Sequence, residues 1–189
     1  SMSITNNGLI SAFRPILNPG TSVVAAIDSD DDVRALTVTN AASGRIEANG
    51  SNVRAIQGRA QSFTIVNDGQ ITSAVFGGVG QAIVVYGGVI TGDVRFTDAD
   101  PQNTTTANRR NSTTVNASTL NGALVYGMGN HTLTNTGRIG GNITFADVAA
   151  SRNTVTLGTG SSLGGNITAN GAGINAITIA EYTVMLMLA

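Results

Sequence analysis

Short runs in which apolar and polar residues alternate recur along the chain, always in the same direction and always broken by Asn and Gly. HTLTNTGRIGGNITFAD (131–147) shows the unit most clearly: Leu133, Ile139, Ile143 and Phe145 are its apolar positions, and threonines stand between them. Asn135 and Gly137 mark one corner, and Gly140-Gly141-Asn142 marks a second. Alternation at period two, bounded by turn residues, predicts short strands with one buried face. Related copies are read at Ile4–Ser11, Leu36–Ile46, Phe63–Ile71, Ala82–Ile90 and Asn153–Thr168. A degenerate copy is read at Thr114–Val125, and a last short one at Asn175–Ile179.

Equivalent apolar positions are assigned to Ile4, Val38, Ile65, Val84, Leu133 and Leu157, separated by 34, 27, 19, 49 and 24 residues. The longest interval divides if the copy near Val115 supplies a further turn. A hairpin meander would place its turns every ~8–12 residues, without this longer unit. A β-solenoid accepts insertions at its corners, because a one-residue slip inside a strand would turn every later side chain to the wrong face. The spacing therefore predicts an all-β, stacked parallel architecture of roughly eight rungs. One such domain is expected over 1–180, interrupted by irregular loops at 12–35 and 97–113, with the apolar stretch 181–189 as a cap or a junction. Stacking also accounts for the corner residues. Glycine permits positive φ there, and asparagine side chains at one equivalent position can bond along the axis. Asn6, Asn40, Asn67 and Asn135 are the expected members of this ladder.

Composition narrows the class. Aromatics make up only 4% of the 189 residues and charged residues 11%, which suits a thin core built in layers better than a compact enzyme core. A net charge of −1, with arginines scattered except at Arg109-Arg110, argues against nucleic acid as a partner. Absence of cysteine excludes thiolate chemistry and disulfides.

TVTNAASGRIEANGSNVRAI (37–56), FTIVNDGQI (63–71), HTLTNTGRIGGNITFAD (131–147) and NTVTLGTGSSLGGNIT (153–168) resemble the passenger-domain repeats of Gram-negative autotransporters. The resemblance covers residues 36–96 and 114–179. It implies a right-handed parallel β-helix, secreted through a C-terminal outer-membrane β-barrel and displayed at the cell surface or released. A barrel would need many strands of ~10 residues with aromatic girdles; such a region is not recognisable in this chain, so a membrane link is expected only through a barrel outside it.

The chemistry-bearing residues are few. His131, the single histidine, is expected at a surface or corner, because nothing selects a serine and an acid to join it. Asp28, Asp30 and Asp32 have the spacing that opens a calcium loop, but Val33 and Thr39 occupy the places of the required Gly and bidentate Glu. A solvated acidic loop is the better reading, and no metal or cofactor is expected. Asp93, Asp98, Asp100 and Asp147 fall after or near equivalent strands, which keeps a carbohydrate-active β-helix enzyme, a polysaccharide lyase or hydrolase, open as the alternative function. The preferred expectation is a non-enzymatic, adhesin-like module that binds through loops on a rigid rod. The stretch 97–113, with Asp98, Asp100, Arg109 and Arg110, is the expected contact loop. Its partner would be a host-cell receptor, extracellular matrix, a glycan or a second copy of the chain.

Overall fold

The computed structural model describes residues 1–15, 23–29, 32–60, 62–77, 81–96, 111–146, 151–169 and 173–180. These residues form strands and turns, and every paired strand is parallel to its neighbours. The chain visits three sheets in rotation. β1 (Met2–Asn6), β2 (Leu9–Arg14) and β3 (Val24–Ser29) start the first, second and third sheets. β4 (Ala35–Asn40), β5 (Arg45–Gly50) and β6 (Val53–Gly58) stack on them, followed by β7 (Ser62–Asn67), β8 (Gln70–Thr72) and β9 (Val75–Gly77). Next come β10 (Gln81–Tyr86), β11 (Val89–Ile90) and β12 (Val94–Phe96), then β13 (Ser112–Asn116), β14 (Thr119–Leu120) and β15 (Leu124–Tyr126). β16 (His131–Asn135), β17 (Arg138–Ile139) and β18 (Ile143–Phe145) follow. β19 (Arg152–Leu157), β20 (Ser162–Leu163), β21 (Ile167–Ala169) and β22 (Ile174–Ile179) complete the described strands. The first sheet has eight strands and the other two have seven each among the described residues, an arrangement compatible with a β-solenoid. Parallel neighbours need a long crossover, and here each crossover is made by strands of the other two sheets.

Alternation within the strands sends one set of side chains into a single core, whereas β22, the last strand of the first sheet, is exposed along its length. On the second sheet Ile10, Ile46, Ile71, Ile90, Leu120, Ile139 and Leu163 stand in one row. By backbone register the middle positions of the first sheet run Ile4, Val38, Ile65, Val84, Thr114, Leu133, Val155 and Ile177, the last of them exposed at the end of the sheet. One assignment from the sequence shifts here: Val155, not Leu157, pairs with Leu133, while in the degenerate copy near Val115 it is Thr114 that takes the inward place. Leu157 instead continues the asparagine position after Asn135, two residues on and hence on the same face.

The third sheet and the first exchange bulk across the core. Along the third sheet the inward row after Ser29 is Gly58, Gly77, Phe96, Tyr126 and Phe145. A Cβ at Gly58 would overlap the Phe63 ring, and one at Gly77 would lie 3.1 Å from it, so Phe63 of the first sheet fills the space those glycines leave. Where the third sheet becomes aromatic, the first sheet offers Ser112 and His131. Tyr126 stacks on Phe96 and Phe145 with ring centroids 5.3 and 4.8 Å apart. Offset ring stacks of this kind add about 0.5–1.5 kcal/mol per pair beyond the area they bury.

Corner glycines have a different cause from the one expected. Among the described residues, positive φ occurs at Gly50, Gly129 and Gly160, and at Asn52 and Ser73. The repeated corner glycines are absent from that group. A Cβ at Gly69 would overlap the Gly44 carbonyl oxygen, and one at Gly88 would overlap that of Gly69. Close approach of one layer's backbone to the next excludes side chains there.

The expected irregular loops are smaller in the structure. Within 12–35, residues 12–14 belong to β2, β3 fills 24–29, and Ala35 opens β4, while 16–22, 30 and 31 lie outside the described residues. Of 97–113, Ser112 and Thr113 already belong to β13, and 97–110 lie outside the described residues. The stretch 181–189 lies outside them as well.

Candidate functional site

Asparagines line the corner after the first sheet. Asn6 Nδ2 donates to Asn40 Oδ1 at 2.8 Å, and Asn40 Nδ2 donates to Asn67 Oδ1 at 2.7 Å. Each amide also holds backbone: Asn6 bonds the Arg45 carbonyl, and Asn40 bonds those of Gly44 and Gln70. The row is interrupted at position 86, a tyrosine in register with Asn67 and Asn116. It resumes with Asn116 Nδ2 donating to Asn135 Oδ1 at 2.6 Å. Sequence reasoning missed Asn116, because the copy around it lacks apolar residues at the usual places, although Asn116-Ala-Ser118 keeps the corner spacing. These buried amides satisfy one another and the turns, and they leave no group facing solvent for chemistry.

His131, expected at a surface or a corner, opens β16 directly after a turn but is buried instead of surface-exposed. It is 1% exposed, on the inward row between Ser112 and Asn153, against the Tyr126 ring at 4.9 Å between centroids. Alternation decides this: His131 and Leu133 are two residues apart and face the same way. Its Nδ1 lies 2.8 Å from Ser112 Oγ and its Nε2 2.9 Å from the Gly127 carbonyl oxygen. A carbonyl can only accept, so in the neutral ring Nε2 carries the hydrogen and Nδ1 accepts from the Ser112 hydroxyl. The pair has the separation of a nucleophile and its base, but Ser112 is itself only 5% exposed and a carbonyl stands where a triad has its acid. The hydrogen bond ties adjacent strands of the first sheet together inside the core.

Two buried hydroxyls beside it have no hydrogen-bond partner among the described residues, Thr114 Oγ1 and Tyr126 Oη. Burial pushes the Tyr126 phenol well above its ordinary range, and the nearby Thr114 hydroxyl offsets part of that shift without reaching bonding geometry.

Among the described residues the acidic side chains are dispersed. Asp28 faces outward from β3, 3.8 Å from the Arg59 guanidinium, while Asp30 lies outside the described residues. Asp93 Oδ1 accepts from the Ala123 amide at 2.8 Å, and Oδ2 pairs with Arg95 at 2.7 Å. Partial burial raises the Asp93 carboxyl, but the Ala123 amide and Arg95 outweigh it and hold the group below its ordinary value. Asp98, Asp100, Asp147, Arg109 and Arg110 lie outside the described residues. No three His, Cys, Asp or Glu side chains gather to hold a metal ion among the described residues.

The outer face of the third sheet carries a cluster that no sequence motif announced. Register places Asp28, Gln57, Phe76 and Arg95 side by side on consecutive strands. Arg54, three residues before Gln57, should face the opposite way in a regular strand. Ala55 and Ile56 are both fully buried, however, and both amides point at the Ala74 carbonyl oxygen. That local break in alternation returns Arg54 to the outer side. Its guanidinium lies 4.0 Å from the Phe76 ring centroid and donates to Gln57 Oε1 at 2.6 Å. Partial burial lowers the Arg54 pKa, Asp28 opposes this, and the like charges of Arg95 and Arg59 add to the lowering.

Comparison with known protein families, curated proteins and solved structures finds no match to this chain.

Proposed function

We propose that this chain is a non-enzymatic, passenger-type interaction module of a Gram-negative autotransporter, surface-displayed or released. In this reading it is a right-handed parallel β-helix of roughly eight rungs that presents loops from a rigid rod. Parallel crossovers are right-handed in nearly all sheets, which supports the handedness. One observation carries the reading. The linked asparagines at equivalent places are 34, 27 and 19 residues apart, yet their side chains meet in register. Added residues therefore fall between strands, where a scaffold can vary contact segments without disturbing its core. The burial of His131 supports a binding role over a hydrolytic one built on that residue.

The connection from Phe96 to Ser112 is the longest such segment in its place, because the equivalent step from Tyr126 to His131 needs only the four residues Gly127–Asn130. Replacing 97–111 by Gly-Met-Gly-Asn should leave the strand signal in far-ultraviolet circular dichroism intact and abolish attachment to cultured cells or immobilised matrix. Undiminished attachment would remove the loop from the proposal. New reducing ends released from a polysaccharide panel by the intact protein would overturn the non-enzymatic reading. Protease shaving of intact source cells tests display, which requires the chain to be cleaved without lysis.

A further inference from the structure

We propose that the outer face of the third sheet, centred on Arg54 and Phe76, is a binding site for an acidic saccharide, held through its carboxylate or sulfate group. The site is on the strands themselves and stands or falls independently of the secretion route and of residues 97–113.

Charge comes first. Arg54, Arg59 and Arg95 bear on one another across this patch, and among the described residues the carboxylates paired with these arginines are Asp28 and Asp93. Arg95 is paired closely with Asp93, and Arg59 more loosely with Asp28 at 3.8 Å. Arg54 has no ion pair among the described residues. One of its terminal nitrogens is committed to Gln57, and the remaining donors of the fork have no partner among the described residues. An anion arriving there would meet a guanidinium already oriented by a ring and an amide. Such a preset fork forms charge-assisted bonds to carboxylate or sulfate with little further ordering.

The surroundings select the class of anion. Strands of one sheet lie ~4.8 Å apart, so the register row Phe76, Arg95, Val125, Thr144 and Thr168 is a ladder of evenly spaced positions, with the largely buried Gln57 before it. It begins with a basic and aromatic end and continues to two threonine hydroxyls. A saccharide offers that sequence of contacts: an isolated anion, an apolar ring face and hydroxyls further along. Nucleic acid presents a phosphate at every step and needs a continuous basic path, whereas Asp28 and Asp93 interrupt this one.

The test is titration calorimetry of the intact chain with three oligosaccharides: a heparin fragment for sulfate, an oligogalacturonate for carboxylate and a dextran fragment as neutral control. At least one acidic oligosaccharide should bind, with affinity falling as salt rises, and dextran should not. Arg54→Gln should weaken binding about tenfold or more, as expected for a lost charge-assisted contact. Phe76→Leu should weaken it severalfold, and Arg54→Lys should recover only part. Arg138→Gln, on the exposed side of the second sheet, should bind as the parent does. Circular dichroism of each variant separates lost contact from lost fold. The proposal is overturned if neither acidic oligosaccharide binds at millimolar concentration or if folded Arg54→Gln and Phe76→Leu bind unchanged. Tighter binding of a single-stranded oligonucleotide or of polyglutamate would also overturn it.

Discussion

Replacing Asn40 with alanine tests whether the amide row is a structural element or an accident of composition. Asn40 is fully buried, donates to Asn67 Oδ1 at 2.7 Å and accepts from Asn6 Nδ2 at 2.8 Å. It also makes longer bonds of 3.3 Å to the Gly44 and Gln70 carbonyls. Alanine removes all four. Asn6 keeps a second acceptor in the Arg45 carbonyl, whereas Asn67 Oδ1 loses the donor that Asn40 supplied. Two good hydrogen bonds at a net ~1 kcal/mol each, plus about 1–3 kcal/mol for an orphaned buried acceptor, give a loss of about 3–5 kcal/mol. In a chain of this length each kcal/mol moves Tm by about 2–4 °C, so the midpoint should fall by about 6–20 °C. Thermal and urea unfolding followed by circular dichroism would measure it. Asn67→Ala should cost less, because Asn40 Nδ2 retains two carbonyls. The double variant should be less harmful than the sum by about 1–2 kcal/mol, as expected for directly bonded partners. A loss below ~1 kcal/mol for Asn40→Ala, or strict additivity with Asn67→Ala, would refute the argument.

Tyr126→Phe should stabilise the protein by about 1–3 kcal/mol, because it deletes a buried hydroxyl without a partner while keeping the ring stack. It should also flatten the alkaline limb of stability. The folded-state phenol is raised above its unfolded value, so its contribution is full below about pH 10 and declines above that by up to ~1.4 kcal/mol per pH unit. Urea midpoints from pH 8 to 11 would show no difference in slope between parent and variant if this were wrong. Gly50→Ala should destabilise by several kcal/mol, since its φ is +120° and a Cβ would overlap the Arg14 carbonyl. Gly8→Ala, with nothing within 4 Å of the new Cβ, should be neutral or stabilise by about 0.4–1 kcal/mol, and equal melting shifts for the two would contradict both. Finally, His131 should resist diethyl pyrocarbonate until the chain is unfolded in urea. Rapid modification of the native protein, read by mass spectrometry, would place the ring at the surface after all.

Strand alternation was legible because it is local: the residues of β7 or β16 show which face they bury without reference to anything distant. Corner asparagines were legible for the same reason wherever Asn and Gly keep their spacing, as at Asn67 and Asn135. The degenerate copy was harder. Thr114 reads as polar and Val115 as apolar, yet alternation from Ser112 through Asn116 turns Thr114 inward and leaves Val115 on the outer face. Leu157 misled in the opposite way. It has the hydrophobicity expected of an inward position and does continue an inward row, but the row is that of the asparagines, two residues from the one assigned.

By itself, then, the sequence determined that this chain makes short parallel strands with small, β-branched interiors and Asn–Gly corners, because period-two alternation and backbone preference act within a few residues. The tertiary structure decided which layer meets which, and that depends on insertion lengths, which alternation within a strand does not encode. Stacking is what turns His131 into part of an aromatic core beside Tyr126 and makes Gly58 and Gly77 the space for Phe63. It also gathers Arg54, Arg59 and Arg95, separated in the chain by up to 41 residues, around Phe76 on one outer face.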